Sequence, residues 1–390
     1  MDLCLALDHD CNLRCDYCYT GEKRARQMTR ETAKRAIDFA LARTPMAFSL
    51  SFFGGEPLLN RDVLGYAVRY ASEQLTQHFP RVPWIVILAT NATLLDEAVV
   101  RELRQLPNAD GLRVHVSLDG PKHVHDAHRS TRDGRGSYEA VVRGIGRLKQ
   151  ARIAVLPVAT INPDTAKYLG DITRELFTFA EKRALFTFNL RANWTSGAID
   201  QLRSGLFAAG QVWADEFRAG RPFQLEPFSG KILHHLHGIA ACPGRCQMAL
   251  EDIVVAPSGR LYPCGEMVGT DCDDRHVIGD LQDGFDHAKI TRLLIQKSRV
   301  EITCGDCGLR DRCDSACGCR HVALTGKLGD ITETLCSIEE ALVDAADTAA
   351  EALWAEQCES FLQTYYRSEW QLIPGTALLP SRRRIVDVAG

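Results

Sequence analysis

The stretch Cys11-Asn-Leu-Arg-Cys15-Asp-Tyr-Cys18 decides the fold of this chain, because it places three thiols within eight residues. Thiols at this spacing can converge on one inorganic centre. A closed structural zinc site needs four protein ligands, whereas a [4Fe–4S] cluster held by three cysteines keeps one iron open to a further ligand. The number of thiols therefore favours an iron–sulfur cluster. A zinc knuckle completed by His9 or Cys4 is the second interpretation.

Strand-like and helix-like patterns alternate around this loop through the first half of the chain. An apolar strand over 3–8 leads into the loop, and five more strands are predicted over 48–52, 84–89, 112–118, 153–160 and 185–190. Helices are predicted between them, over about 29–42, 60–78, 95–105, 136–150 and 165–180. Six such units predict an α/β fold with a parallel, right-handed, barrel-like sheet. Chemistry is then expected at the carboxyl ends of its strands.

Three short motifs follow predicted strands at that edge. Gly54-Gly55-Glu56-Pro57 follows the second strand, where glycines allow close backbone approach and a carboxylate can receive an ammonium group. Thr90-Asn91-Ala92-Thr93-Leu94-Leu95 follows the third strand. Ser117-Leu118-Asp119-Gly120 ends the fourth strand, and His125-Asp126-Ala127-His128-Arg129 follows it.

Together, the cysteine loop and these motifs resemble the radical S-adenosylmethionine (SAM) superfamily. The resemblance implies a partial (β/α)6 TIM-like barrel in which Cys11, Cys15 and Cys18 hold a [4Fe–4S] cluster whose open iron binds SAM. It also implies that SAM is contacted by Gly54, Gly55, Glu56, Pro57, Asn91, Ser117 and Arg129, with Arg132 a close competitor for the last role. Ala92 departs from the family pattern, which has glycine there, and this difference can change the path of the loop.

A second group of cysteines begins at Cys242. The order Cys246-x12-Gly259-x4-Cys264, Cys304-x2-Cys307-x5-Cys313-x3-Cys317 and Cys336 resembles the seven-cysteine pattern of the SPASM subfamily. By that resemblance, auxiliary cluster I takes Cys242, Cys246, Cys264 and Cys317, and auxiliary cluster II takes Cys304, Cys307, Cys313 and Cys336. Two fully ligated clusters need eight thiols, so three [4Fe–4S] clusters per chain are expected. Two Cys4 zinc sites are the alternative.

The rest of the second half yields local predictions. Residues 253–263 are predicted to form a hairpin that turns at Pro257-Ser258-Gly259. The residues Ser337-Ile-Glu-Glu340 form a capping-box pattern that opens a helix to about residue 366. Cys319 is expected to pack beside Cys317, with alternate ligation or redox chemistry as its other possible roles. Structural positions are expected for Cys4, Cys272 and Cys358, and surface positions for His125 and His128.

The predicted domain order is linear. It places a radical SAM partial barrel over 1–192, a helical connector over 193–241, a small cysteine-rich SPASM domain over 242–336, and a C-terminal helix and tail over 337–390. The connector holds His234, His235 and His237, for which a metal role is not favoured.

Composition excludes several classes of partner. Lys+Arg number 46 against 50 Asp+Glu, and this net charge of −4 provides no global attraction for nucleic acid or anionic membrane. The short basic runs Lys23-Arg24 and Arg382-Arg383-Arg384 are interpreted as solvated surface. There is no signal-peptide pattern and no apolar run long enough for a membrane span. A cytoplasmic protein is expected, in which fifteen cysteines indicate metal or redox chemistry.

The resemblance implies an enzyme that cleaves SAM reductively to methionine and a 5′-deoxyadenosyl radical. Most SPASM enzymes modify peptides, so oxidative crosslinking or dehydrogenation of a ribosomally synthesised peptide is the leading hypothesis. The alternatives are oxidation of Cys or Ser of the anaerobic sulfatase-maturating type, a small-molecule or cofactor-biosynthesis dehydrogenase, and a non-enzymatic zinc-binding interaction module. Sulfatase-maturating enzymes carry Asp after the cysteine that corresponds to Cys264. Here Gly265 follows, and Glu266, one residue later, is the candidate catalytic acid–base.

The partners expected from the resemblance are a precursor peptide and a flavodoxin or ferredoxin-type electron donor. Because the first cluster cysteine is residue 11, we expect no leader-binding domain ahead of the barrel. A separate recognition protein is then expected to bind the leader, unless the enzyme reads the core peptide directly.

Overall fold

A computed structural model describes residues 1–237, 246 and 248–367. The chain divides into two compact units. Among the described residues, unit 1 comprises Met1–Leu118, His125–Leu156 and 248–295, and unit 2 comprises Asp119–Val124, 157–237, Cys246 and 296–367. Each unit is assembled from separated stretches of sequence, and the linear domain division stays a prediction.

All six predicted strands are present. In unit 1, β1 (Asp2–Asp8), β2 (Phe48–Gly54), β3 (Trp84–Thr90) and β4 (Leu112–Ser117) are consecutive parallel neighbours. The strand β5 (Ala154–Ile161) runs from unit 1 into unit 2, where it pairs in parallel with β6 (Arg183–Phe188). A short further strand, β7 (Gln224–Glu226), pairs in parallel with β6. The predicted α/β fold with a large parallel sheet is confirmed.

Helices follow the strands as the apolar periodicity predicts. They are α1 (Arg30–Leu41), α2 (Arg61–His78), α3 (Glu97–Arg104), α4 (Lys122–His128), α5 (Tyr138–Gln150) and α6 (Leu169–Phe179). The side chain of Thr29 caps α1 by accepting a hydrogen bond from the backbone N–H of Thr32, as its sequence position predicts. The apolar residues spaced along α1, such as Ala36 and Ile37, are fully buried.

The predicted hairpin extends the sheet of unit 1. The strand β8 (Asp252–Val255) pairs in parallel with β1, and β9 (Arg260–Tyr262) pairs antiparallel with β8. Gly259 turns the hairpin with a φ of +86°, a conformation that suits glycine. Two short strands, β10 (Gly279–Asp280) and β11 (Gly284–Phe285), complete this edge. The hairpin was predicted, but its pairing with β1 was not, because short strands carry no signal for a distant partner.

Unit 2 is largely helical beyond its strands. Its helices are α7 (Ser196–Arg218), α8 (Phe228–His237), α9 (His287–Thr303, whose first half lies in unit 1), α10 (Gly318–Thr325), α11 (Glu333–Ala355) and α12 (Glu359–Leu362). Trp213 on α7 is fully buried, with its ring 4.8 Å from Phe217 and 6.1 Å from Phe361. These aromatic contacts form the centre of the helical core.

The predicted start of the C-terminal helix was wrong. The helix α11 begins at Glu333, after Thr332 in the extended conformation of an N-cap, so Ser337 lies inside the helix and cannot cap it. It also ends at Ala355, because Gln357 adopts a left-handed φ of +51°. Leu342, Ala346 and Leu353 of this helix are buried. Among the helices of the described residues, none has both the length and the apolar character that a membrane span requires.

Candidate functional site

The three-cysteine loop leaves the carboxyl end of β1. Its first turn is fixed by two aspartates, since Asp8 Oδ1 accepts a hydrogen bond from the N–H of Asp10 at 2.8 Å and Asp10 Oδ1 accepts one from the N–H of Cys11 at 2.8 Å. The N–H of Cys18 donates to the carbonyl of Cys15 at 3.3 Å. These bonds form within the protein chain itself, so the loop that carries the thiols has a defined path.

A second segment of unit 1, which contains Ser130 and Arg132, forms hydrogen bonds with this loop. Arg132 Nη2 lies 2.6 Å from both carboxylate oxygens of Asp10 and donates to the carbonyl of Cys11 at 3.0 Å. The N–H of Arg14 donates to the carbonyl of Ser130 at 2.7 Å. Arg132 is therefore engaged in bracing the loop. Arg129, which is buried with its guanidinium 5.3 Å from the ring of Tyr17, stays the predicted contact of a SAM carboxylate.

The two glycines of the Gly-Gly-Glu-Pro motif are required by a close approach to the cysteine loop. The N–H of Gly55 donates to the carbonyl of Asp8 at 2.7 Å, and the N–H of Glu56 donates to that of Asp10 at 2.9 Å. A Cβ on Gly55 would lie 1.9 Å from the Asp10 oxygen, and one on Gly54, where φ is +125°, would lie 2.5 Å from the Asp8 oxygen. A side chain at either position would displace the motif from the three-cysteine loop.

Glu56 is completely buried, and its carboxylate joins two strand ends. It accepts hydrogen bonds from the N–H of Leu58 at 3.0 Å, the hydroxyl of Thr90 at 2.7 Å and the N–H of Asn91 at 2.8 Å. A carboxylate can accept about four hydrogen bonds, so little capacity is left for a ligand. The contact of this carboxylate with the SAM ammonium group stays a prediction, and the structure gives Glu56 a bracing role in addition.

The motif after β3 reaches the cysteine loop through Asn91. Its Nδ2 donates to Asn12 Oδ1 at 2.9 Å and lies 3.7 Å from Cys11 Sγ. The next residue, Ala92, adopts a left-handed φ of +60°, which is a conformation that the family glycine would adopt more easily. The substitution of glycine by alanine therefore leaves a strained residue here, at a cost of about 1–2 kcal/mol. Ser117 ends β4 in a half-buried position, and its SAM contact stays a prediction.

The interpretation of Lys23 and Arg24 as solvated surface was wrong. Lys23 Nζ lies 3.0 Å from Cys18 Sγ and also contacts Thr20 Oγ1. Arg24 contacts the carbonyl of Thr270 and lies 2.5 Å from Cys272 Sγ. Each of these two cations therefore lies close to a cysteine sulfur. A lysine five residues after the last cysteine of the motif was the only sequence signal, and it carries no information on side-chain direction. The run at 382–384 lies outside the described residues.

The first and last thiols of the loop differ in acidity. Burial raises the pKa of the Cys11 thiol to about 11. Burial also acts to raise the pKa of Cys18, but the hydrogen bonds from Lys23 and Thr20 outweigh it and lower that pKa below its ordinary value. The thiolate is the form that binds metal. Cys18 therefore reaches this form more readily than Cys11.

The predicted auxiliary ligands fall into three places. Cys264 is half-buried in unit 1. Burial raises the pKa of the nearby Tyr19 phenol, and the charges of Glu266 and Cys264 raise it further. In unit 2, a cavity of about 120 Å³ is lined by Cys246, Cys313 and Cys317. Cys313 thus shares a cavity with two ligands of the other predicted cluster. The charges of Cys304 and Cys307, after burial, raise the pKa of Cys336. Cys242 lies outside the described residues.

The zinc alternatives gain no support. Within the part of the chain that the structure describes, no three His, Cys, Asp or Glu side chains form a set that could hold a single metal ion. Of the suggested fourth ligands, His9 is buried with its Nε2 3.8 Å from Asp271 Oδ2, and Cys4 packs against the apolar cluster around Val254. The thiolates of a four-iron cluster bind separate irons and need not meet at one point. Three thiols in one loop are the donor chemistry of a cluster with one open iron, so Cys11, Cys15 and Cys18 stay the predicted ligands.

Two histidines and two cysteines lie outside the cysteine loop and the strand-end motifs. His125 is fully buried and shares a hydrogen bond of 2.9 Å with Ser137, so its predicted surface position was wrong. Cys319 Sγ lies 3.1 Å from Cys317 Sγ. His234 lines the cavity of unit 2. Cys272, for which a structural position is expected, is exposed.

Glu56 should make stability depend on pH. Burial raises its pKa to about 7, despite the hydrogen bonds from Asn91, Leu58 and Thr90. The native state therefore binds its proton more tightly than the unfolded state, and the free energy of unfolding falls as pH rises from about 4.3 to about 7, by up to ~3 kcal/mol. We expect Glu56→Gln to flatten this dependence. The exposed Glu97→Gln is the control. Anaerobic urea denaturation between pH 5 and 7.5 measures both, and equal slopes in wild type and Glu56→Gln would contradict the assignment.

Comparisons with known proteins agree with this geometry. Residues 9–175 match the radical SAM superfamily. An uncharacterized protein of Methanocaldococcus jannaschii is 29% identical over 47% of this chain, and the match spans 61% of that protein's length. The serine-type anaerobic sulfatase-maturating enzyme of Klebsiella aerogenes is 25% identical over 79% of this chain and 76% of its own.

Solved structures share the fold. His-tagged anSMEcpe with bound AdoMet superposes with a TM-score of 0.75 at 18% identity, over 89% of this chain and 97% of that one. SuiB of Streptococcus suis bound to its precursor peptide SuiA superposes with a TM-score of 0.58 at 13% identity, over 86% of this chain and 75% of that one.

Proposed function

This chain belongs to the radical SAM superfamily, with a SPASM-like second half, and on that premise we propose that it oxidatively modifies a ribosomally synthesised peptide. One observation carries the proposal. The three-cysteine loop is held from one side by the backbone N–H groups of Gly55 and Glu56 and from another by Arg132, which supports a site in unit 1 where the Gly-Gly-Glu-Pro motif lies against this loop.

The residues of unit 1 would divide the work as follows. Cys11, Cys15 and Cys18 would hold the cluster, and Asn91, Ser117 and Arg129, with the backbone of the Gly-Gly-Glu-Pro motif, would orient SAM. When bound, the cluster and SAM together supply reductive SAM cleavage and abstraction of a hydrogen atom from the substrate. The chain itself supplies position, buried surroundings and a route for the released proton.

Glu266 is our candidate for accepting that proton. It is half-buried in the turn that follows Cys264, and its charge reaches Tyr19, which in turn stacks on Phe53 with ring centres 6.3 Å apart. A Cβ on Gly265 would lie 3.5 Å from the Phe53 ring, so this turn packs against the aromatic pair. A general base beside an aromatic surface suits a peptide side chain.

Peptides are favoured over small molecules by the neighbours. SuiB has been solved with a precursor peptide, and anSMEcpe with the Cp18Cys peptide. Oxidation of Cys or Ser of the sulfatase-maturating type is the second candidate, because such enzymes are 25% and 23% identical to this chain over 79% of it. The replacement of their Asp by Gly265 argues for a different substrate. A relative named AdoMet-dependent heme synthase, 26% identical, keeps a small-molecule substrate as the third candidate.

Two auxiliary clusters, held by the eight cysteines named above, would accept the electron that substrate oxidation leaves behind. A flavodoxin or ferredoxin-type protein would reduce the first cluster. A separate leader-recognition protein remains our proposal for how the precursor is captured.

The proposed function is tested with the anaerobically reconstituted chain, SAM and dithionite. Short peptides encoded beside this gene are compared with a Cys- or Ser-containing sulfatase peptide. We expect 5′-deoxyadenosine together with a loss of about 2 Da from a neighbouring peptide, the mass of two hydrogens. A formylglycine product on the sulfatase peptide would establish the second candidate instead, and 5′-deoxyadenosine with no altered peptide would refute a peptide substrate.

Loss of an auxiliary cluster should uncouple the reaction. Cys264→Ala is expected to abolish peptide product while SAM cleavage with dithionite persists, because the first cluster does not use this thiol. Cys4→Ala is the matched control, since Cys4 packs in an apolar cluster of the same unit. Liquid chromatography of 5′-deoxyadenosine and peptide from one reaction measures both. Equal loss of the two products in Cys264→Ala would contradict the predicted ligand role.

A further inference from the structure

The thiols of the cysteine loop receive different hydrogen-bond donors. Cys11 Sγ is approached by neutral groups, with the N–H of Leu13 at 3.4 Å and Nδ2 of Asn91 at 3.7 Å. Cys18 Sγ is approached by a cation, with Lys23 Nζ at 3.0 Å, and by the hydroxyl of Thr20 at 3.3 Å. A charge-assisted hydrogen bond is roughly twice as strong as a neutral one.

The position of Lys23 is fixed from within the same turn. Its ammonium group also contacts Thr20 Oγ1, so Cys18, Thr20 and Lys23 form a closed triangle of polar atoms. Lys23 is half-buried, and Glu22 next to it is exposed. The ammonium is therefore directed to the sulfur and not to the neighbouring carboxylate.

We infer that Lys23 is a positioning residue that sets the reduction potential of the cluster held by Cys18. Adding an electron to an iron–sulfur cluster adds negative charge, and hydrogen bonds and positive charge at the ligand sulfurs stabilise the reduced form. Lys23 thereby makes the cluster easier to reduce. The inference rests on the proposed function only in that the cluster is the one bound by Cys11, Cys15 and Cys18.

The test is a redox titration of the full, anaerobically reconstituted chain, followed by electron paramagnetic resonance. The signal that changes when SAM is added reports the first cluster alone. We expect Lys23→Met to lower the equilibrium constant for reduction about tenfold, which is 59 mV for a one-electron couple. Lys23→Arg, which keeps the charge, should stay within about twofold of wild type. Thr20→Val should have a smaller effect than Lys23→Met, and the exposed Lys182→Met should have none.

Three outcomes would overturn the inference. The first is an unchanged reduction potential in Lys23→Met, and the second is an equal shift of the potential in Lys23→Met and Lys23→Arg. The third is a loss of about 4 irons in Lys23→Met while Lys23→Arg binds its iron normally, because the ammonium group would then be needed for cluster assembly. A wild-type chain with no SAM-responsive signal would refute the proposed function and is thus distinguishable from all three.

Discussion

Replacing Cys11, Cys15 and Cys18 together by alanine is expected to remove about 4 of about 12 iron atoms per chain and to abolish 5′-deoxyadenosine formation. The three thiols are the ligands of one predicted cluster, and no reductive cleavage is possible without it. Iron and sulfide analysis after anaerobic reconstitution measures the first effect. Chromatography of the SAM products measures the second.

The matched control is the triple variant of Cys4, Cys272 and Cys358, which are not ligands of any of the three predicted iron–sulfur clusters. It should keep all the iron and the full rate of SAM cleavage. If the iron content of the wild-type chain levels off near 4 atoms, this result would contradict the auxiliary clusters but not the first cluster. Zinc in place of iron at the auxiliary cysteines would contradict them equally.

Glu339→Ala is expected to destabilise unit 2 by about 3–5 kcal/mol, because it leaves a buried ammonium group without its main partner. Glu339 on α11 and Lys231 on α8 are 1% and 2% exposed, and their charged atoms are 2.7 Å apart. Glu339 also pairs with Arg320 at 2.5 Å and accepts the N–H of Asp314 at 3.0 Å. Arg320 and Asp314 line the cavity of Cys246, Cys313 and Cys317, so the network also shapes the candidate cluster site.

The next residue of the same helix supplies the control. Glu340 is 58% exposed and pairs with Arg203 at 3.6 Å, so Glu340→Ala should cost no more than about 1 kcal/mol. Anaerobic guanidinium denaturation compares the two variants. The double variant Lys231→Met with Glu339→Leu should regain much of the lost stability, because it removes both buried charges. Similar small losses in both single variants would contradict the role of the network.

The sequence predicted what depends on local spacing. Strands, helices and the hairpin turn at Gly259 follow from patterns within about ten residues, and so does the placement of three thiols in one loop. Patterns of this kind depend on which residues are adjacent in the sequence and on the spacing of the residues that become buried.

What the sequence missed depends on distant partners or on side-chain direction. The pairing of β8 with β1, the hold of Arg132 on Asp10 and the network of Glu339 each join residues that are far apart in the chain. Lys23 is close in sequence to Cys18, but a flexible four-carbon side chain can turn to solvent or to a thiol with equal ease. The capping-box pattern at Ser337 failed because Thr332 offered an earlier start to the same helix.

The dependence of the cysteine loop on Arg132 also bears on how the protein is made. Arg132 follows Cys11 by 121 residues, and ribosomes add roughly 5–20 residues per second. The first of these thiols therefore leaves the ribosome roughly 6 to 24 s before the arginine that fixes the loop leaves it. During that interval they are exposed to oxygen and to adventitious metal ions. Delivery of iron and sulfide to this chain is best timed after translation has passed that point, so expression at low temperature with an induced iron–sulfur assembly system should favour correct loading.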